Sequence, residues 1–278
     1  MKIHHLNCGT LCPLCARLMN GTGTLTEPGK LVCHCLLIEQ EDKLILVDTG
    51  LGLMDIEHTD YRLGKAFQKT FKPKLDPAET AHSQIQGLGY SPADVTDIFP
   101  THLDLDHIGG VSDFPQATVH IYQPELEQIL KPSWKEKLRF RLNQFKPEPC
   151  WHTYQWPAEQ WFGLPAFSIH LKNNLHIWII PLIGHTKGHV GIAIQQDNGK
   201  WLLHGGDAYY HHSQLNAVSH MPLGLQAFEA SVQAIRQERL KSLNHLKYLK
   251  AHHADEIDFF CAHDPVELEQ YQSASRLE

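Results

Sequence analysis

The order of apolar runs in this chain predicts an α/β layered domain, and three observations carry that expectation. Short strand-like runs alternate with longer amphipathic stretches in both halves of the sequence. Several of those runs end on turn residues with side chains capable of chemistry. No low-complexity linker, break in composition or short internal repeat interrupts the 278 residues, so one domain spanning 1–278 is expected.

Taken in order, Leu31 to Ile38 reads as a buried strand, and Leu44 to Val47 as another that ends at Asp48-Thr49-Gly50. Two helical stretches follow, one through Leu63, Phe67 and Phe71, the other opening at Asp76-Pro77, where Asp76 can cap and Pro77 can start a helix. Val95 to Phe99 is a strand that runs into Thr101-His102. Thr118 to Tyr122 is the next, and Pro124 opens a helix beyond it. In the second half His176 to Ile180, Val190 to Ile194 and Trp201 to Leu203 read as strands. Phe228, Val232, Ile235, Leu243 and Leu246 then mark one long amphipathic helix. Ile257 to Phe260 is a strand leading to His263, and Asp264-Pro265 starts the last helix. Segments near 53–90 and 125–149 read as helical caps inserted over the layered body.

Composition narrows the function. With 42% hydrophobic and 20% charged residues the chain can bury a sizeable core. Lys and Arg number 24 against 31 Asp and Glu, a formal charge of -7, which argues against nucleic acid as the main partner. No apolar run is long enough for a secretory signal or a membrane span. The seven cysteines form an odd set, so reduced thiols in the cytoplasm are expected. Cys8, Cys12 and Cys15, with Cys33 and Cys35 on a strand, leave open a structural zinc or a redox pair; unbridged thiols are the plainer reading. Histidine is the outlier at 21 residues, most of them expected in ordinary surface or core positions, the doublets His4-His5, His211-His212 and His252-His253 included.

The strongest local signal is His102-Leu103-Asp104-Leu105-Asp106-His107, followed by Gly109-Gly110. On an extended strand end a period of two puts side chains 102 and 104 on one face. The glycines allow a sharp turn, and Asp106 and His107 would sit where a helix begins. Four ligand-type side chains within six residues can converge on one metal or two adjacent ones.

This segment resembles the His-x-His-x-Asp-His signature of the metallo-β-lactamase superfamily, and the rest of that family's pattern follows in order. Leu46 to Gly50 resembles the early strand whose aspartate, here Asp48, supports the ligands through a hydrogen bond. Gly184-His185-Thr186-Lys187-Gly188-His189 resembles its Gly-His-Thr-x-Gly-His element, Gly206-Asp207 the bridging aspartate, and His263 the final histidine. The resemblance implies an αββα sandwich of two mixed sheets between helices. It also implies a binuclear site, with His102, Asp104, His189 and Asp207 on the first ion and Asp106, His107, Asp207 and His263 on the second. His185 is then expected to support the ligands without being one. Two divalent ions are implied, zinc first, with iron or manganese as alternatives, and occupancy by one ion stays open.

Asp104 departs from the pattern, in which histidine is usual. A carboxylate there would neutralise a cluster that a histidine leaves at +1, and it is a harder ligand, which favours iron or manganese relative to zinc. Flavodiiron proteins of the same superfamily are similar in placing a carboxylate at this position, so a di-iron redox protein is the alternative, although 278 residues leave no room for their flavin domain. The leading expectation is a metal-dependent hydrolase that turns a metal-bound hydroxide on a small lactone, ester or related substrate. A phosphodiesterase of the same superfamily is a further alternative, and exported β-lactamases are set aside with the signal.

Tyr210, three residues after Asp207, resembles the tyrosine that N-acyl-homoserine lactonases carry at that offset. Its hydroxyl would steady the oxyanion while Asp106 carries a proton to the leaving oxygen. Packing beside the site is the plain alternative, and Tyr209 could turn inward instead. Basic segments at 62–74 and 131–146 suggest steering of an anionic small-molecule substrate if they cover the site, or solvated helix faces if they do not. The oligomeric state is left open, a homodimer among the options.

Overall fold

A computed structural model describes residues 1–41, 43–134, 136–171 and 175–275. Twelve strands form two six-stranded sheets. The first holds β1 (Lys2–Leu11), β2 (Leu31–Gln40), β3 (Lys43–Val47), β4 (Val95–Phe99), β5 (Thr118–Tyr122) and β6 (Cys150–Tyr154), side by side in chain order. β1 to β3 pair antiparallel and β3 to β6 parallel. The second sheet runs β7 (Glu159–Trp161), β8 (Leu164–His170), β9 (His176–Pro181), β10 (Val190–Gln195), β11 (Trp201–His204) and β12 (Ile257–Phe260), antiparallel except for the parallel β11–β12 pair.

Side-chain alternation decides which layers meet. Leu36, Ile38, Ile45 and Val47 point into the space between the sheets, against Ile177, Ile179, Ile192 and Ile194 of the second. Their neighbours Leu37, Leu44 and Leu46 face the other way, onto Ile85, Ile108 and Ile129 of the first outer helical layer. On the far side Ile180, Leu203 and Ile257 pack under Leu243, Leu246 and Leu249 of the helix Arg236–His252. Helices thus cover both outer faces of two mixed sheets, the αββα sandwich. Burial on both faces of β2 and β3 explains why these strands read as continuous apolar runs.

Three expectations change. The single long helix is two, Leu223–Val232 and Arg236–His252. The break is held by the Ala234 and Ile235 amides, which donate to the Gly184 carbonyl at 2.9 Å, so apolar spacing continued across a turn that tertiary hydrogen bonds open. The helix expected from Asp76 is a 3-10 turn, Pro77–Glu79, and the α-helix Ala81–Gly87 starts at Thr80, whose hydroxyl accepts from the Ser83 amide. The segment 125–149 holds the rest of one helix, Gln123–Leu130, and two short 3-10 turns, 136–138 and 142–145, so it is mostly irregular. The segment near 53–90 holds helices at Leu53–Glu57, Thr59–Arg62, Gly64–Phe71 and Ala81–Gly87. β1 and β6 to β8 had no counterpart in the sequence reading. Among the described residues no helix is long and apolar enough to cross a membrane.

Candidate metal centre

The loops that leave β3 and β4 emerge together because these strands run parallel, as do those that leave β11 and β12, and side chains from both pairs of loops come together. Asp48 follows β3, His102 follows β4, Asp207 follows β11 and His263 follows β12. Asp104 sits at the start of the short helix Leu105–Ile108, with Asp106 and His107 in its first turn. The chain thus brings together two groups of ligand-type atoms: His102, Asp104, His185 and Asp207 in one, and Asp106, His107 and His263 in the other.

Each histidine of these groups is oriented by its Nδ1. His107 donates from Nδ1 to Asp48 Oδ2 at 2.9 Å, and His263 donates to the Val32 carbonyl at 2.8 Å. The Thr101 hydroxyl, itself donating to Asp48 Oδ2 at 2.8 Å, accepts from His102 Nδ1 at 3.0 Å. Tyr210 donates to Asp207 Oδ2 at 2.6 Å, and its oxygen accepts from His185 Nδ1 at 3.1 Å. In every case Nε2 is left with its lone pair turned toward the other ligand atoms.

Those lone pairs crowd one another. His107 Nε2 lies 3.2 Å from His263 Nε2, and Asp207 Oδ1 is 3.4 Å from the His107 atom and 3.2 Å from the His263 atom. Asp207 Oδ1 is buried without a hydrogen-bond partner. An unpartnered buried carboxylate oxygen against two imidazole nitrogens is costly unless a cation or proton lies among them. The residues therefore fit a divalent ion held by nitrogen and oxygen ligands. The electrostatics agree: burial alone would lower the His107 pKa, yet Asp207 and Asp48 raise it to about 10. Burial would likewise raise the Asp207 carboxyl, but His263, His107 and His185 hold it well below the ordinary range.

The two histidines of the 184–189 loop exchange the roles expected of them. His189 spends both nitrogens on the scaffold, Nδ1 donating to the Leu182 carbonyl at 3.0 Å and Nε2 accepting the Asp207 amide at 2.9 Å. It has no lone pair left for an ion and stands outside both groups. His185 Nε2 instead lies 2.9 Å from Asp104 Oδ2 and 3.2 Å from Asp207 Oδ2. Gly206 makes the arrangement close: at φ 53 it lies so near that an added Cβ would stand 2.6 Å from His189 Nε2.

Asp104 is in place, but it has a partner the sequence did not suggest. Arg139 grips it from the irregular segment after 138, its Nε on Oδ1 and its Nη2 on Oδ2. Burial would depress the guanidinium and raise the carboxyl, and the pairing reverses both directions. A second missed residue is Glu125, whose buried carboxylate accepts the Leu103 amide at 2.9 Å and the Gly188 amide at 3.0 Å, tying the two ligand loops together. Burial pushes its pKa up to about 7. A glutamate in the first turn of a helix carries no signal of this role in a single sequence.

Tyr210, not Tyr209, turns inward. Tyr209 donates away from the centre to Glu267, whereas Tyr210 shares a cavity of about 580 Å³ with Asp104, Asp106, His185, Asp207 and His263. Burial and the Asp207 charge raise the Tyr210 pKa well above its usual value, so it stays a hydrogen-bond donor. An apolar wall of Phe67, Phe71, Phe228 and Val232, packed beside Tyr210, lines the same cavity. Among the described basic side chains of the two segments, which leave out Lys135, only Arg139 lines this cavity, and it is paired; Arg62 is buried on Asp55 at 2.7 Å. The expected steering of an anion therefore has no free side-chain cation at the cavity among the described residues. The cysteines join neither group, and all seven are unbridged thiols.

Comparison with known proteins adds to this geometry. The family model of the metallo-beta-lactamase superfamily matches residues 28–252. Probable metallo-hydrolases of Mycobacterium bovis and Mycobacterium tuberculosis are 36% identical over 266 residues, 95% of this chain and 81% of theirs. An N-acyl homoserine lactonase of Bacillus cereus is 30% identical over 201 residues, 72% of each chain. In fold, an N-acyl homoserine lactone hydrolase with the product N-hexanoyl-L-homoserine at its catalytic metal center superposes with a TM-score of 0.69 at 19% identity, over 98% of this chain and 95% of that one.

Proposed function

Because this chain belongs to the metallo-β-lactamase superfamily, we propose that it is a binuclear metallo-hydrolase that opens an uncharged lactone or ester carrying an apolar group. The observation that carries this reading is the cavity itself, where Tyr210 and the ligand cluster adjoin the apolar wall of Phe67, Phe71 and Phe228. A polar reacting end would meet the cluster while an aliphatic or aromatic end lies against the three rings. The named lactonase relatives agree with that division.

In this reading Asp106, His107 and His263 would hold one divalent ion, and His102, Asp104, His185 and Asp207 would hold the other. Zinc, our choice given the imidazole-rich set, would supply Lewis acidity and an activated water when bound. The chain's own groups do the rest. Asp48 and Thr101 fix the imidazoles of His107 and His102, so the donor atoms are aimed before substrate arrives. Tyr210 turns its proton from Asp207 to the substrate carbonyl oxygen as negative charge develops there. Asp106 lines the same cavity, takes a proton from the attacking water and passes it to the departing alkoxide. The rings of Phe67 and Phe228 exclude bulk water from the reacting end. We also read the chain as one catalytic domain with the segments near 53–90 and 125–149 shaping the mouth.

The test is a panel of N-acyl lactones, carboxyl esters, thioesters and phosphodiesters, followed by pH-stat with zinc-loaded and chelated protein. Zinc-dependent opening of lactones or esters, faster with longer acyl groups, is expected. Phosphodiester cleavage alone, or iron with a visible absorption band and no hydrolysis, would overturn it.

A further inference from the structure

We propose that Arg139 is a built-in cation of the centre, so that its two halves bind divalent ions with unequal affinity. The half formed by Asp106, His107 and His263 loads first. The half formed by His102, Asp104 and His185 loads only as the guanidinium gives way. This rests on the metal-centre reading above and concerns how that centre fills.

The argument is one of competition for the same lone pairs. His185 has its Nδ1 turned to the Tyr210 hydroxyl, so its Nε2 is the atom available to an ion. Arg139 Nη2 donates to that Nε2 and, at the same time, to Asp104 Oδ2. Asp104 Oδ2 in turn is the atom 3.2 Å from His102 Nε2 and 2.9 Å from His185 Nε2, the point on which this half converges. A divalent ion entering here must take the His185 lone pair from Arg139 and share Asp104 with it, against the repulsion of a second positive charge.

The guanidinium is not a loose surface group. Its Nη1 donates to the carbonyls of Val232 at 2.6 Å and His185 at 3.2 Å, and only 19% of the side chain is exposed. Val232 closes the helix Leu223–Val232, so displacing Arg139 also disturbs the contact between that helix and the segment after 138. The other half has nothing comparable. Among the described residues, no lysine or arginine makes an ion pair or hydrogen bond with Asp106, His107 or His263, whose imidazole nitrogens face each other at 3.2 Å. Arg139 also restores the positive charge that Asp104 removes, which explains how an aspartate is tolerated among the ligands.

Zinc binding to the chelator-stripped full chain tests this, by titration against a competing chromophoric chelator with total zinc counted by atomic emission. The wild type is expected to bind two ions in steps separated by about 10- to 100-fold. Arg139→Leu should bring the steps together by tightening the second. Where Arg139→Leu does not fold, His185→Ala keeps the question open to decision: it should abolish the weak step and spare the tight one. Two equal steps in the wild type, an unchanged gap in Arg139→Leu, or loss of the tight step in His185→Ala overturns the proposal. A wild type that binds no zinc removes the metal-centre reading itself, a result distinct from two equal steps.

Discussion

Replacing Glu267 with glutamine isolates one buried carboxyl whose effect on stability can be worked out. Glu267 lies in the helix Pro265–Ser275, accepts the Cys261 amide at 2.8 Å and the Tyr209 hydroxyl at 3.2 Å, and is 6% exposed. Burial, and then the charge of Asp264, raises its pKa from an ordinary 4.5 to about 8. Below pH 4.5 the carboxyl is protonated in both folded and unfolded chains. Between 4.5 and about 8 the unfolded chain ionises while the folded one keeps its proton, so stability falls as pH rises through this window. At about 1.4 kcal/mol per pH unit, the loss is roughly 3–5 kcal/mol by pH 8. Glutamine keeps the neutral form's shape and an acceptor but cannot ionise. Urea unfolding of both proteins from pH 5 to 8.5 should show Glu267→Gln gaining on the wild type steadily, by several kcal/mol across the range. A stability difference that does not vary with pH would refute the reasoning, because it would mean that Glu267 ionises alike in both states.

Three other substitutions probe the centre. Gly206→Ala places a Cβ 2.6 Å from His189 Nε2 at φ 53, and urea unfolding should show a loss of about 2–4 kcal/mol; a loss under 1 kcal/mol would mean that the loop relaxes freely. Asp48→Ala removes the acceptor for His107 Nδ1 and should weaken zinc binding by about 10- to 100-fold in chelator competition; unchanged affinity would leave Asp48 a turn residue only. Tyr210→Phe should lower kcat on the best substrate by about 100-fold with zinc content unchanged, and an unaltered kcat would reduce Tyr210 to packing.

The parts of this protein legible in its sequence are those with short-range grammar. Leu44 to Val47 announces a strand because burial on both faces leaves no polar position, and Val95 to Phe99 is a short run with apolar ends; their exits carry Asp48 and His102. His102, Asp106 and His107 lie within one turn of chain, so spacing alone predicts that they converge. Asp207 and His263 were legible through the family resemblance, and each follows a strand of the parallel β11–β12 pair.

Tertiary contact decided what spacing could not. His185 and His189 are four residues apart in a loop, and which one offers a lone pair depends on whether the Leu182 carbonyl and the Asp207 amide take it first. Tyr209 and Tyr210 are neighbours of one type; Glu267, on the last helix, claims the first and leaves the second to the centre. Asp104 and Arg139 stand 35 residues apart, with β5 and two helices between them, so no single periodicity links them. Pattern therefore indicated the layered fold, and the motif with its family resemblance indicated which strand ends carry the chemistry. The partners of each polar atom were settled only by folding, because a hydrogen bond or ion pair is a property of two groups at a distance that local sequence does not encode.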